Sequence, residues 1–197
     1  MKKFTPALVI LAVIANTILW LRLKNQPGIA AENGPMENFQ TVCLALSFLL
    51  WLAAAFLEKF GRPKIILFSL ALFNLSFLVL ELDTRDFNAP FFNKLFNGKI
   101  RDAWLGCLWL IVAISFIRKM KPEWAAFLGW LKTWSGVVMI MSGVFWLISG
   151  LIDKALLGRK ELYREELMEV NATLLMLISA HLFLQNRKNA AIKNSSN

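Results

Sequence analysis

The chain has 197 residues, 57% of them apolar, and a formal net charge of +9. A soluble domain would be nearer 45–50% apolar, so this is the composition of a membrane protein. The basic residues sit at the ends of apolar runs, which fixes orientation in a bilayer and argues against a nucleic-acid surface. With two cysteines and one histidine, zinc spacings, haem attachment and bis-histidine haem are excluded.

Runs of about 20 apolar residues mark membrane-spanning helices. Six are predicted, over about 4–23, 36–57, 63–82, 103–117, 123–152 and 165–184. They make an all-α polytopic bundle occupying 1–185, with a loose polar tail over 186–197. The first span follows Lys2 and Lys3 and is too long for a signal-peptide core, so it reads as uncleaved. Turn signals at Gln26-Pro27-Gly28 and Asn33-Gly34-Pro35 separate it from the second. Gly61-Arg62-Pro63 tightly connects the second and third. In the longer segment from Asp83 to Asp102, Phe87, Phe91, Phe92, Leu95 and Phe96 recur at helical spacing. This predicts a short amphipathic helix on the membrane surface, ended by Gly98. The fourth span is short, which should draw Arg101 and Asp102 towards the lipid boundary.

The fifth span is expected to organise the bundle. Gly129, Gly136, Gly143 and Gly150 recur every seven residues, close to two helical turns, and so share one face. Small residues let membrane helices approach closely. The expectation is therefore one long, tilted central helix packed through a glycine seam. Ser135, Ser142 and Ser149 each precede one of these glycines. Trp124, Trp130 and Trp134 suit the interfacial aromatic belt.

Six spans put both termini on one side. Bases on that side hug span ends at Lys59, Arg62, Lys64, Arg118, Lys119 and Lys121, so both termini are expected in the cytoplasm of a cell whose inner membrane the protein spans. Glu58 and Glu123 are the acids of that side; the remaining acids fall on the other. There, Asn74, Glu81 and Arg85 share a face of the third span, with Asn74 near mid-membrane. Glu161, Glu165, Glu169 and Thr173 form a four-residue ladder in the sixth. Glu37 and Gln40 share a face of the second, and Asp153 closes the fifth beside Gly150. With Arg101, the residues Glu37, Gln40, Asn74, Glu81, Arg85, Asp153, Glu165 and Glu169 are candidates to line one pocket, since ionisable groups at such depth are expensive and usually functional. The competing explanation is structural: acids in a first helical turn favour the positive end of the helix dipole, and Glu81–Arg85 is a favourable i, i+4 pair.

Three functions are weighed. The first is a protein that uses this acid-rich, Arg-containing pocket to bind a polar or cationic ligand, a lipid headgroup or another membrane protein. The second is a membrane enzyme acting on a lipid or lipid-linked substrate, in which Glu81, Asp153 and Glu169 hold Mg²⁺, Mn²⁺ or Ca²⁺. A transporter is the weakest of the three, because neither an inverted repeat nor paired broken helices are evident. His181 reads as a packing residue, and Cys43 and Cys107 as free thiols.

Overall fold

The computed structural model describes residues 5–31, 33–58, 64–82, 90–154, 156 and 161–195. Among them the regular structure is entirely helical: α1 Thr5–Leu23, α2 Pro35–Leu57, α3 Ile65–Glu81, α4 Pro90–Phe96, α5 Gly98–Arg118, α6 Met120–Leu131, α7 Trp134–Asp153 and α8 Leu162–Ser195. Five helices of the described residues are long and apolar enough to cross a membrane: Pro6–Leu23, Pro35–Leu57, Gly98–Arg118, Trp134–Asp153 and Leu162–Asn189. The chain is a helical membrane bundle. The apolar α3 has 17 residues, about 25 Å at 1.5 Å per residue, and packs chiefly against α2 and α5.

The central post is α8, which packs against α7, α2 and α1; the glycine-bearing segment does not hold that place. Nor is that segment one helix. The single helix expected over 123–152 is two, α6 and α7, broken at Lys132 and Thr133. Thr133 is extended, and its hydroxyl accepts the Gly136 N–H at 3.3 Å, a side-chain cap that starts a new helix within a largely apolar stretch. The corner is tight. A Cβ on Gly136 would strike the Trp130 carbonyl oxygen and the Leu131 Cα, so only glycine fits. The other three glycines carry no seam within this chain: a Cβ at Gly129, Gly143 or Gly150 would meet nothing within 4 Å.

The serines hold the seam. Ser135, Ser142 and Ser149 are fully buried against α8. Ser135 Oγ donates to the Ser179 carbonyl at 2.9 Å, and Ser179 Oγ donates to the Ser135 carbonyl at 2.8 Å. Ser142 Oγ donates to the Ala172 carbonyl at 2.8 Å. A seven-residue repeat of small hydroxyls thus brings two antiparallel helices close and hydrogen-bonds them, which lipid cannot do. On its other face α8 holds α1. Asn16 Nδ2 donates to Asn171 Oδ1 at 2.9 Å, Asn171 Nδ2 to Thr17 Oγ1 at 3.1 Å, and Trp20 Nε1 to Asn16 Oδ1 at 3.0 Å.

Side chains from elsewhere close one end of the bundle. Glu123 of α6, 1% exposed, accepts the backbone N–H groups of Lys64, Ile65 and Ile66 at 3.1, 3.3 and 3.2 Å. These are the orphan donors at the start of α3, whose positive dipole end favours a carboxylate. Arg187 of α8 pairs with Glu58 at 3.0 Å and donates to the Ala54 and Leu57 carbonyls, finishing α2.

Two further boundaries differ from expectation. α5 begins at Gly98, whose φ of +64° suits glycine, so the fourth span has 21 residues and is not short. The tail expected to be loose stays helical through Ser195, because each added residue gains a hydrogen bond without a new nucleus. A short helix does form before α5, over Pro90–Phe96; Trp104 Nε1 ties it down through the Leu95 carbonyl at 2.9 Å. Phe87 lies outside the described residues.

Candidate functional site

Four helix ends meet at the opposite end of the bundle: the starts of α2 and α8 and the finishes of α3 and α7. Their directions follow from the contacts already given, with α7 antiparallel to α8. Gln40 Nε2 of α2 donates to Glu166 Oε2 of α8 at 2.7 Å, so α2 runs parallel to α8. α3 returns antiparallel and ends at Glu81.

These ends assemble a carboxylate cluster. Glu81 lies in the electrostatic field of Glu169, Glu166 and Glu37, and Glu169 in that of Glu165, Asp153 and Glu37. Glu81, Glu166 and Glu169 are half-buried, and Asp153 is exposed. Ser149 Oγ donates to Glu169 Oε1 at 2.6 Å, so the topmost serine of the α7 seam holds a site carboxylate in place. Glu37 carries a structural duty as well, accepting the Asn33 backbone N–H just before α2. Gln40 sits beneath the acids, fully buried. Its nitrogen is used by Glu166, and its carbonyl oxygen has no donor among the described residues. A buried, unsatisfied carbonyl costs about 1–3 kcal/mol.

Of the sequence candidates, Glu37, Gln40, Glu81, Asp153, Glu165 and Glu169 come together here. Arg85 lies outside the described residues. Arg101 pairs with its neighbour Asp102 at 2.9 Å. Asn74 is fully buried and seven residues deeper along α3; its Nδ2 donates to the Leu70 carbonyl at 2.8 Å. It occupies its own layer, together with Ser47 of α2. Leu44, Leu78 and Met176 pack above this layer, and Trp51, Ala71 and Ala180 below it. The ladder on α8 also divides, because Glu161 pairs with Arg164 at 2.8 Å on the surface. Glu166, left out of the predicted pocket, is in it. Its four-residue spacing to Val170 and seven-residue spacing to Thr173, both fully buried, mark the inward stripe.

Compared with protein-family models, curated proteins and solved structures, the chain matches none.

Chemically, the cluster offers carboxylate oxygens, one amide oxygen and a serine hydroxyl. All are acceptors towards an incoming cation. Among the described residues no three acid, cysteine or histidine side chains stand close enough to grip one metal ion. Glu169 links the candidate trio electrostatically, acting on Glu81 and acted on by Asp153. Cys43 is buried in α2 and Cys107 exposed on α5, and both thiols are free.

Proposed function

We propose that this protein binds a cationic ligand at the carboxylate cluster, on the non-cytoplasmic face of an inner membrane crossed by six helices, with both termini in the cytoplasm. The observation that carries this reading is Gln40. Its amide is buried among the acids, donates to Glu166 and leaves an acceptor oxygen with no donor among the described residues. A ligand carrying positive charge and N–H donors satisfies that oxygen and offsets the repulsion among Glu81, Glu166 and Glu169. An organic ammonium or guanidinium group, free or on a partner's basic segment, has this chemistry.

The opposite end supports this sidedness. Exposed Arg118, Lys119, Lys121 and Lys132 gather there, while the acids Glu58 and Glu123 are occupied in ending α2 and starting α3. Bases at span ends favour the cytoplasm.

Thermal unfolding of the purified protein in detergent, titrated with spermidine, arginine amide, Mg²⁺, Mn²⁺ and Ca²⁺, tests the proposal. An organic cation should raise Tm in the wild type and have no effect on Glu81→Gln or Glu169→Gln variants. Stabilisation by a divalent ion alone would replace this reading with that of a metal-dependent membrane enzyme. A flat response to every cation would remove the binding site altogether.

A further inference from the structure

A second feature lies at the other end of the bundle. Between α2, α3 and α5 runs a cleft of about 330 Å³, within the size range of ligand sites. Its walls include Phe48 and Leu52 of α2, Phe68 and Leu75 of α3, and Ile111 and Ser115 of α5, with Ser115 the sole polar side chain of the lining. It exists because α5 is loosely held: Leu105 is its one buried residue, and α5 packs mainly on α3. Interiors are close-packed, so a gap of this kind in an apolar wall is space that the chain itself does not fill.

The cleft reaches the basic end. Ile65, at its wall, is the first residue of α3. Arg118 lies three residues beyond Ser115, so the exposed Arg118 and Lys119 stand one helical turn past the lining. The acid that would neutralise them, Glu123, is 1% exposed and engaged by three N–H groups of α3. Alongside, α6 exposes Met120 at 56% and Trp124 at 50%, side chains suited to the headgroup level of a bilayer. Twelve residues make α6 about 18 Å long, too short to cross.

We propose that this cleft seats an acyl chain of an anionic phospholipid, with its phosphate against Arg118 and Lys119. The apolar walls select a hydrocarbon tail, and the guanidinium and ammonium select a negatively charged headgroup. The tail fills the space left by α5 and so ties that helix to α2 and α3.

The test uses the full-length protein in nanodiscs of equimolar phosphatidylglycerol and phosphatidylcholine with identical chains, followed by gentle extraction and native mass spectrometry of retained lipid. The expected result is one retained phosphatidylglycerol, favoured over phosphatidylcholine by about ten-fold or more, the scale of two basic groups near an anionic headgroup. Arg118→Gln combined with Lys119→Gln should abolish the preference. Ser115→Phe, which narrows the cleft, should abolish retention with both bases intact; Leu108→Trp serves as a second cleft-filling variant. Equal retention of the two lipids would overturn the proposal, as would phosphatidylglycerol retained undiminished in a folded cleft-filled variant. The double surface variant keeps the test decisive even where a filled cleft fails to fold.

Discussion

Glu123 shows how one side chain can decide whether a short helix survives in a membrane. About 25 Å of α3 falls short of a hydrocarbon core of about 30 Å, so its first N–H groups would face lipid unpaired, at several kcal/mol each. The Glu123 carboxylate takes three of them. Glu123→Ala should therefore lower stability by about 2–3 kcal/mol, the scale of charge-assisted hydrogen bonds, whereas Glu123→Gln, which keeps an acceptor, should cost less. Thermal unfolding of the two variants in one detergent checks that order. Gly136 sets a second single-residue constraint. Gly136→Ala places a Cβ against the backbone of Trp130 and Leu131, an overpacking that costs about 1–3 kcal/mol, while Gly143→Ala, which meets nothing within 4 Å, should be close to neutral. A glycine seam within this chain would make both changes costly.

Helices associate here through polar contacts that a hydropathy profile does not register. Asn16 and Asn171 lie 155 positions apart, and nothing local to either announces the other. A double-mutant cycle with Asn16→Leu and Asn171→Leu should give a coupling of about 0.6 kcal/mol, and no more than about 1.7, the range for hydrogen bonds between membrane helices; zero coupling would mean that α1 is held by apolar packing alone. The place of each apolar run was legible, because about 20 residues must be apolar to cross, but not every length: the fourth, expected to be short, is a helix of 21 residues. The break between α6 and α7 was not, since apolar residues continue on both sides of Thr133 and the turn rests on a threonine cap. The seven-residue period was visible, but it belongs to the serines, which supply hydroxyls to α8, and not to the glycines beside them. At the site, the acids of α2, α3 and α8 could be grouped by depth. Glu166 was missed because the four-residue ladder through Glu165 and Glu169 steps past it, whereas the buried stripe that includes Val170 and Thr173 passes through it.

On the scale of the whole molecule, the two ends differ in their acids: carboxylates gather at one, beside exposed Lys24, Lys154 and Arg164, while the other exposes Arg118, Lys119, Lys121 and Lys132 with its acids Glu58 and Glu123 already engaged. Reporter fusions after residue 119 and within 24–34 should report cytoplasm and the far side respectively; the reverse pattern would invert the proposed orientation while leaving both sites where they are. One dimension has a practical outcome. α8 has 34 residues, about 51 Å, and so overshoots a hydrocarbon core of about 30 Å by nearly four turns. A compact protein spliced onto its end by unbroken helix would be carried as on a stiff mast. Each residue added to the splice would swing that passenger by about 100° around the mast, giving a particle small enough to vanish in micelle contrast a visible, adjustable landmark for electron-microscope alignment.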